Sequence, residues 1–223
     1  MDATAAVRPI LEIRRGDAAE DVAGTGERTP GGVEVIKVVP RTRGKRQAGE
    51  ARAGVDDTGL DAARCLTDKP VIGIGEAAYR YAAMIANKFS VVTTLARSVP
   101  ALEHNLKRYG LYGHCVKVRS SEVAVLELES NNPAACAKID GEIAKAILED
   151  RAEAIVLGCA GMANLANSLS HRHGLPVLDG LACAIALAES MVKLGLKTSR
   201  LGGYAPPPAA KLANAFRTTE PQT

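Results

Sequence analysis

The sequence predicts an α/β fold with a mostly parallel sheet and helices on both of its faces. Nearly half of its 223 residues are apolar, which is enough for a sizeable core. From Pro70 onward, short runs rich in Val and Ile alternate with longer segments that carry Ala, Leu and Ile at helical spacing. This alternation, with turn residues at the junctions, is typical of a parallel sheet.

The first part of the alternation runs from Pro70 to about residue 128. We predict strands at 71–74 and 89–94, helices at 76–87 and from a Ser98 cap to Gly110, and extended pieces at 114–119 and 123–128.

The second part begins where Asn132 and Pro133 start a helix that reaches about residue 148. It continues with a strand that ends before Gly158, a helix to residue 173, a strand at 176–179, a helix at 181–194 and a final helix after residue 208.

Residues 1–53 carry weaker signals. Strand-like pieces at 9–13 and 33–39 flank a stretch at 24–32 that we interpret as a loop. Four cations within 41–46 indicate either a nucleic-acid patch or a solvated loop. We favour the loop, because no aromatic residues interleave with the charges and the net charge is only +3.

Cysteine usage and hydropathy indicate where the chain works. Five cysteines form no C-x-x-C pair and no secretory signal opens the sequence, so we expect a reducing cytoplasm. No apolar run reaches the ~20 residues that a membrane helix needs, so we expect no membrane partner. His171 and His173 lack further ligands at metal-binding spacing, so we expect no metal.

The segment from Gly73 to Ala78 fits the dinucleotide pattern G-x-G-x-x-A between a strand and a helix. The strand is short, however, and no acid lies close to ~20 residues further on to hold a ribose hydroxyl. We therefore interpret the glycines as a tight strand-to-helix turn and expect no cofactor.

Cys159 stands on the turn between a buried strand and a predicted helix, in the segment Ile155-Val-Leu-Gly-Cys-Ala-Gly-Met162. Unpaired N–H groups and the helix dipole at such a place favour the thiolate over the thiol. The alternative is an inert, buried cysteine that serves only packing. We interpret Cys136 and Cys183 in that second way.

Four segments together resemble the hydantoin racemase branch of the aspartate/glutamate racemase superfamily. Besides the segment of Cys159, they are Pro70-Val-Ile-Gly-Ile-Gly-Glu-Ala-Ala78, Phe89-Ser-Val-Val-Thr-Thr-Leu-Ala-Arg-Ser-Val-Pro100 and Leu201-Gly-Gly-Tyr-Ala-Pro-Pro-Pro208. The resemblance implies two similar Rossmann-like α/β halves that face each other across an active-site cleft. Residues 1–94 with 199–223 would form the first half, and residues 95–198 with Cys159 the second. It also implies a homo-oligomer that uses neither cofactor nor metal.

The resemblance further implies that Cys159 is one of two cysteines that move a proton at the stereocentre. The segment from Asp56 to Arg64 resembles the one that follows the first cysteine, and this places Gly54 where that cysteine stands in the family. We predict substrate contacts from Gly54, from the hydroxyl of Thr93 or Thr94, and from the backbone at Ala160 and Gly161. The Asn-Pro-Asn segment with which family members open is missing, since the first Asn is Asn87.

The predicted function is racemisation of 5-substituted hydantoins or related amino-acid derivatives. Glycine at position 54 leaves two alternatives open. One is a single-cysteine decarboxylase, because the arylmalonate decarboxylases of the same superfamily also carry glycine there. The other is a small-ligand-binding homologue that has lost the reaction.

Overall fold

Short apolar segments form the parallel sheet on which this protein is built. The structure is a computed structural model that describes residues 11–12, 36–37, 56–124, 127–128 and 132–208. The strands are Leu11–Glu12 (β1), Ile36–Lys37 (β2), Phe89–Thr93 (β3), Cys115–Ser120 (β4), Ala154–Leu157 (β5) and Val177–Asp179 (β6). β1 and β2 pair in parallel with each other.

The other four strands form one sheet in the order β4-β3-β5-β6, with every pair parallel. All residues of β3 and β5 are buried, as expected for central strands that are covered on both faces. The carboxyl ends of all four strands lie at one edge, where Thr93 and Asp179 end β3 and β6.

In the part of the chain that the structure describes, six α-helices with defined bounds accompany the sheet. They are Leu60–Leu66 (α1), Ile74–Ile85 (α2), Val99–Arg108 (α3), Pro133–Leu148 (α4), Ala166–His173 (α5) and Gly180–Lys193 (α6). Short 3-10 turns cover Ala96–Ser98, Ala160–Leu165 and Gly202–Tyr204. The Asn132 side chain accepts a hydrogen bond from the Ala134 N–H, which explains why α4 begins where it was predicted.

Two apolar cores lie on opposite faces of the sheet. One joins α4 and α5 to alternate residues of the central strands, among them Val92, Ile155 and Leu157. The other joins α2 and α3 to the intervening residues, among them Phe89, Val91 and Val156. Successive residues of these strands thus face opposite cores, and helices cover both faces of the sheet, as the sequence predicted.

Three predicted elements differ from the structure. Residues 71–73 precede α2 without strand pairing, and 123–124 and 127–128 belong to no strand. A run of Val and Ile becomes a strand only beside a partner, and among the described strands none pairs with either segment. Ser98 makes no side-chain cap, because it ends a 3-10 turn that already leads the chain into α3.

The sheet crosses the predicted boundary between the halves. β3 belongs to the predicted first half, which runs to residue 94. It nevertheless pairs with β4 and β5, which belong to the predicted second half. The segment after α6 returns to the residues that follow α1, where the Thr198 hydroxyl donates to the Lys69 carbonyl at 2.6 Å. The predicted helix after residue 208 and the cationic stretch at 41–46 lie outside the described residues.

Candidate active site

Cys159 follows β5 directly, at the carboxyl edge of the sheet. The N–H of Gly158 donates to the Val92 carbonyl at 2.8 Å, and the N–H of Met162 donates to the Cys159 carbonyl at 3.0 Å. A Cβ at residue 158 would lie 2.8 Å from the Cβ of Thr93, so only glycine allows β5 to approach β3 this closely. These contacts hold the backbone of Cys159 in place, while its side chain remains partly exposed.

The two adjacent threonines have different roles. The Thr93 hydroxyl donates to the Gly158 carbonyl at 3.1 Å, and the residue is only 1% exposed. Thr93 therefore joins β3 to β5, and the substrate contact from one of the two threonine hydroxyls stays a prediction. The Thr94 hydroxyl instead faces the sulfur of Cys159. The Val123 N–H donates to the Thr94 carbonyl at 3.1 Å and so fixes this residue from the loop after β4.

Ala160 and Gly161 begin the 3-10 turn Ala160–Leu165, and α5 starts only at Ala166. The predicted helix thus begins several residues later than expected. Gly161 is exposed, and its N–H faces the sulfur of Cys159. The structure brings together Cys159, Thr94 and the Gly161 amide.

Burial raises the pKa of the Cys159 thiol, and the Gly161 N–H and the Thr94 hydroxyl oppose that rise without cancelling it. The Gly161 N–H lowers the pKa, as the sequence argument expected, but burial outweighs it. The dipole of a single 3-10 turn is much weaker than that of an α-helix. Burial against the sheet, by contrast, removes solvent from the thiolate and so disfavours it. Burial thus favours the thiol form of Cys159 over the thiolate.

The other cysteines lie in different surroundings. Burial raises the pKa of Cys115 to about 12 on β4, and burial together with Asp179 raises that of Cys183 to about 11 on α6. The Cys65 thiol lies 3.6 Å from the Gly203 carbonyl, and Cys136 lies on α4. Within the part of the chain that the structure describes, no three His, Cys, Asp or Glu side chains are grouped to hold a metal ion.

The glycine-rich segment before α2 meets a carboxylate of the same chain. Asp57 Oδ1 accepts from the Gly75 N–H at 3.0 Å, and Asp57 Oδ2 accepts from the Glu76 N–H at 2.8 Å. The amides that a dinucleotide phosphate would use are thus already bound. Residues 73–78 form the tight turn into a helix that the sequence predicted.

Two residues of this edge were missed by the sequence reasoning. Asp57 is one: the N-cap of α2 is Gly73, which has no side chain, and a helix without its own cap signals an acceptor elsewhere. Asp179 ends β6 beside Leu157 and accepts from the Ala182 N–H at 2.8 Å, so it caps α6. Its position before an Ala-rich helix was a readable capping signal. Gly54 lies outside the described residues.

A partly exposed thiol thus lies beyond a central strand of a parallel α/β sheet, with an amide and a hydroxyl directed at it. A model of the Asp/Glu/hydantoin racemase family matches residues 20–188. This chain belongs to that family. It is 41% identical over 197 residues to a hydantoin racemase of Rhizobium meliloti, with 85% of this chain and 82% of the relative covered. It is 40% identical over 189 residues to a hydantoin racemase of Pseudomonas sp. strain NS671, with 84% and 74% covered.

Two solved structures are similar to this one. They are allantoin racemases from Klebsiella pneumoniae and Pseudomonas fluorescens, 44% and 46% identical to this chain, each with a TM-score of 0.68. Each match covers 70% of this chain, and 64% and 66% respectively of the solved chains, which is just under two thirds of their length. The likeness confirms the mixed α/β class that the alternation of elements predicted. None of the helices described is both long and apolar enough to traverse a lipid bilayer.

Proposed function

We propose that this protein is a cofactor-independent racemase of 5-substituted hydantoins or related amino-acid derivatives, and that Cys159 transfers the proton at the stereocentre. The observation that carries the proposal is the position of Cys159 at the carboxyl edge of the sheet, partly exposed and faced by the Gly161 amide and the Thr94 hydroxyl. Hydantoin racemases about 40% identical over most of the chain support the substrate class.

The chemistry follows from the substrate. The hydrogen at C5 of a hydantoin is acidic because it lies beside a ring carbonyl. When a thiolate removes it, the C–H electron pair moves into an enolate, and negative charge develops on the carbonyl oxygen. A thiol then returns a proton to the carbon. Donors such as the Gly161 amide and the Thr94 hydroxyl suit such an oxygen, since they are fixed before the charge appears.

The raised pKa of Cys159 affects its two roles, proton donor and proton acceptor, differently. The thiol form, which burial favours, can donate a proton, and it must lose its own proton before it can accept one. Because only the thiolate abstracts, the rate of abstraction should rise with pH up to the raised pKa of this thiol. Measuring kcat against pH tests this, and a rate that falls between neutral and mildly alkaline pH would contradict it.

The proposal is tested by proton exchange. One enantiomer of a 5-substituted hydantoin is incubated in D2O, with loss of the C5 proton followed by NMR and optical rotation by polarimetry. Cys159→Ala should lower the exchange rate by about 10²–10⁴-fold, the usual contribution of a positioned acid or base. Cys136→Ala removes a thiol from α4 instead and should leave the rate unchanged. Equal rates in wild type, Cys159→Ala and blank would sink the proposal for that substrate.

The same data show whether protons are transferred on one face of the substrate carbon or on both. Glycine has no titratable side chain, so Gly54 cannot supply the second proton transfer itself. If rotation is lost as fast as deuterium enters, a second acid or base acts on the opposite face. If deuterium enters with retention of rotation, Cys159 acts alone on one face, and the racemase assignment fails while proton transfer by Cys159 stands.

A second candidate function is single-cysteine decarboxylation, and glycine at position 54 favours it. In that reaction CO2 leaves first, and a thiol only has to protonate the resulting enediolate. Release of CO2 from an arylmalonate that depends on Cys159 would support this function. Saturable binding of either substrate without turnover would instead indicate a binding protein.

A further inference from the structure

The segment before α1 is held in an unusual way for a loop. Asp57 is only 8% exposed, and its backbone lies in the left-handed region at φ 48°. Besides the two amides of α2, its carboxylate accepts a hydrogen bond from the Tyr109 hydroxyl at 2.8 Å. The Asn105 side chain also donates to the Asp56 carbonyl. A backbone conformation that non-glycine residues rarely adopt persists only where its surroundings enforce it.

The space around this carboxylate is fully used. A Cβ on Gly73 would lie 2.5 Å from Cγ of Asp57 and 2.6 Å from each carboxylate oxygen. Glycine at 73 therefore serves the close approach of the carboxylate to the start of α2. Burial raises the pKa of Asp57, and the three donors oppose that rise. The contact is specific in shape and in hydrogen bonding.

The start of α2 leads on to the Cys159 site. A Cβ on Gly180 would lie 2.5 Å from the Ile74 carbonyl oxygen, so the first residues of α2 and α6 touch through their backbones. α6 also packs against the 3-10 turn Ala160–Leu165, which carries the Gly161 amide. Asp57 is thus linked to a donor that faces the sulfur through the start of α2, the start of α6 and the packing of α6 against the turn.

We propose that Asp57 is a positioning residue for the Cys159 site, which sets the first turn of α2 and, through the start of α6, the Gly161 amide. The proposal rests on the proposed function for its catalytic consequence, since no described contact joins Asp57 to the sulfur. Sequence adds a second reason, because Asp57 stands three positions after Gly54, on the segment that resembles the one after the first family cysteine.

The test measures the Cys159 thiol directly. Alkylation of Cys159 by iodoacetamide is followed against pH by peptide mass spectrometry in wild type, Asp57→Asn and Asp68→Asn. Asparagine offers an NH2 group to one of the α2 amides, so the first turn must shift. We expect the alkylation midpoint of Asp57→Asn to move to higher pH, because a displaced Gly161 amide opposes the raised pKa less. Asp68→Asn, at an exposed site paired with Lys197, should titrate like wild type.

A matching loss is expected in kcat. Asp57→Asn should lower kcat for C5 proton exchange by about tenfold, the equivalent of one hydrogen bond, with KM changed much less. If Asp57→Asn does not fold, Tyr109→Phe removes a single donor and should move the alkylation midpoint in the same direction by a smaller amount. A folded variant with the wild-type alkylation profile and kcat would overturn the proposal. If wild type shows no exchange, the proposed function fails, and the alkylation profile still decides the role of Asp57.

Discussion

At the scale of single residues, the candidate site depends on the close approach of the Gly158 backbone to Thr93, directly before Cys159. Gly158 has Thr93 atoms on one side, and the Thr93 hydroxyl binds its carbonyl. The sulfur is therefore presented by a strand that cannot shift without breaking the contact between β3 and β5. Precision of this kind is what proton transfer to a fixed carbon requires.

Gly158→Ala tests this packing. The added Cβ would lie 2.8 Å from Thr93 Cβ and 3.1 Å from Thr93 Cα, and the backbone atom cannot move aside easily. We expect the free energy of unfolding in urea to fall by about 1–3 kcal/mol, as for other overpacked cores. Gly113→Ala is the control, since an added Cβ there meets nothing within 4 Å. Wild-type stability of Gly158→Ala would show that β3 and β5 can separate at no cost.

At the scale of elements, two helices begin at the same edge of the sheet and touch there. α2 and α6 run side by side, and the Ile74 carbonyl leaves no room for a side chain on Gly180. The start of each helix is satisfied by a carboxylate, Asp57 for α2 and Asp179 for α6. Both helix starts are thereby set by side chains at the carboxyl edge.

A pair of glycine substitutions separates helix propensity from helix contact. Gly141 lies within α4 with open space around it, so Gly141→Ala should raise the free energy of unfolding by about 0.5–1 kcal/mol. Gly180→Ala gains less from propensity at the first turn and places a methyl group 2.5 Å from the Ile74 oxygen. We expect it to destabilise the protein. Both changes are read from urea unfolding curves, and stabilisation by Gly180→Ala would contradict the close contact.

The sequence predicted the elements well where a local pattern determines them, and poorly where pairing with a distant segment determines them. β3, β5 and α4 lie close to their predicted bounds, because each combines a clear apolar period with a clear boundary signal. The segment 71–73 has the composition of a strand but lacks a described partner, and this cannot be read locally. The same holds for the site: the proximity of Thr94 to Cys159 follows from parallel pairing, whereas Asp57 reaches α2 across 18 positions.

At the scale of the whole molecule, buried ion clusters tie distant segments together. Arg119 on β4 is bound by Asp150 at 2.7 Å and Glu149 at 2.6 Å, and Ser90 of β3 donates to Asp150 at 3.0 Å. Glu76 is bound in the same way by Arg64 at 2.6 Å and by Arg80. In both clusters the arginines hold the carboxylate pKa below its ordinary value, although burial alone would raise it.

These depressed pKa values fix the sign of the acid response. A carboxylate with a lower pKa in the folded state contributes its full stability above the unfolded pKa of about 4, and this contribution is lost as pH falls through the folded pKa. Asp57 acts in the opposite sense, since its raised pKa favours the folded state on acidification. Among the described residues, three carboxylates have a lowered pKa, since Lys197 also lowers that of the exposed Asp68, and Asp57 has a raised one; we therefore expect stability to fall below about pH 4.

Asp150→Asn tests the larger cluster. At neutral pH it leaves the buried Arg119 with only Glu149 and Glu142, and we expect a loss near the lower end of the about 3–5 kcal/mol typical of broken buried pairs. The difference from wild type should shrink as pH falls, because Asp150 is then protonated in both folded and unfolded chains. Urea unfolding at several pH values measures this, and a difference independent of pH would contradict the ion-pair account.

The contact between the segment after α6 and α1 bears on biosynthesis. Thr198 binds the carbonyl of Lys69 across 129 positions, and Arg200 donates to the Thr67 carbonyl at 2.9 Å. During translation at about 5–20 residues per second, the segment 67–69 emerges roughly ten seconds before the residues that bind it. The nascent chain therefore exposes the surface next to α1 until residues 198–200 are made, and chaperones can bind it during this interval.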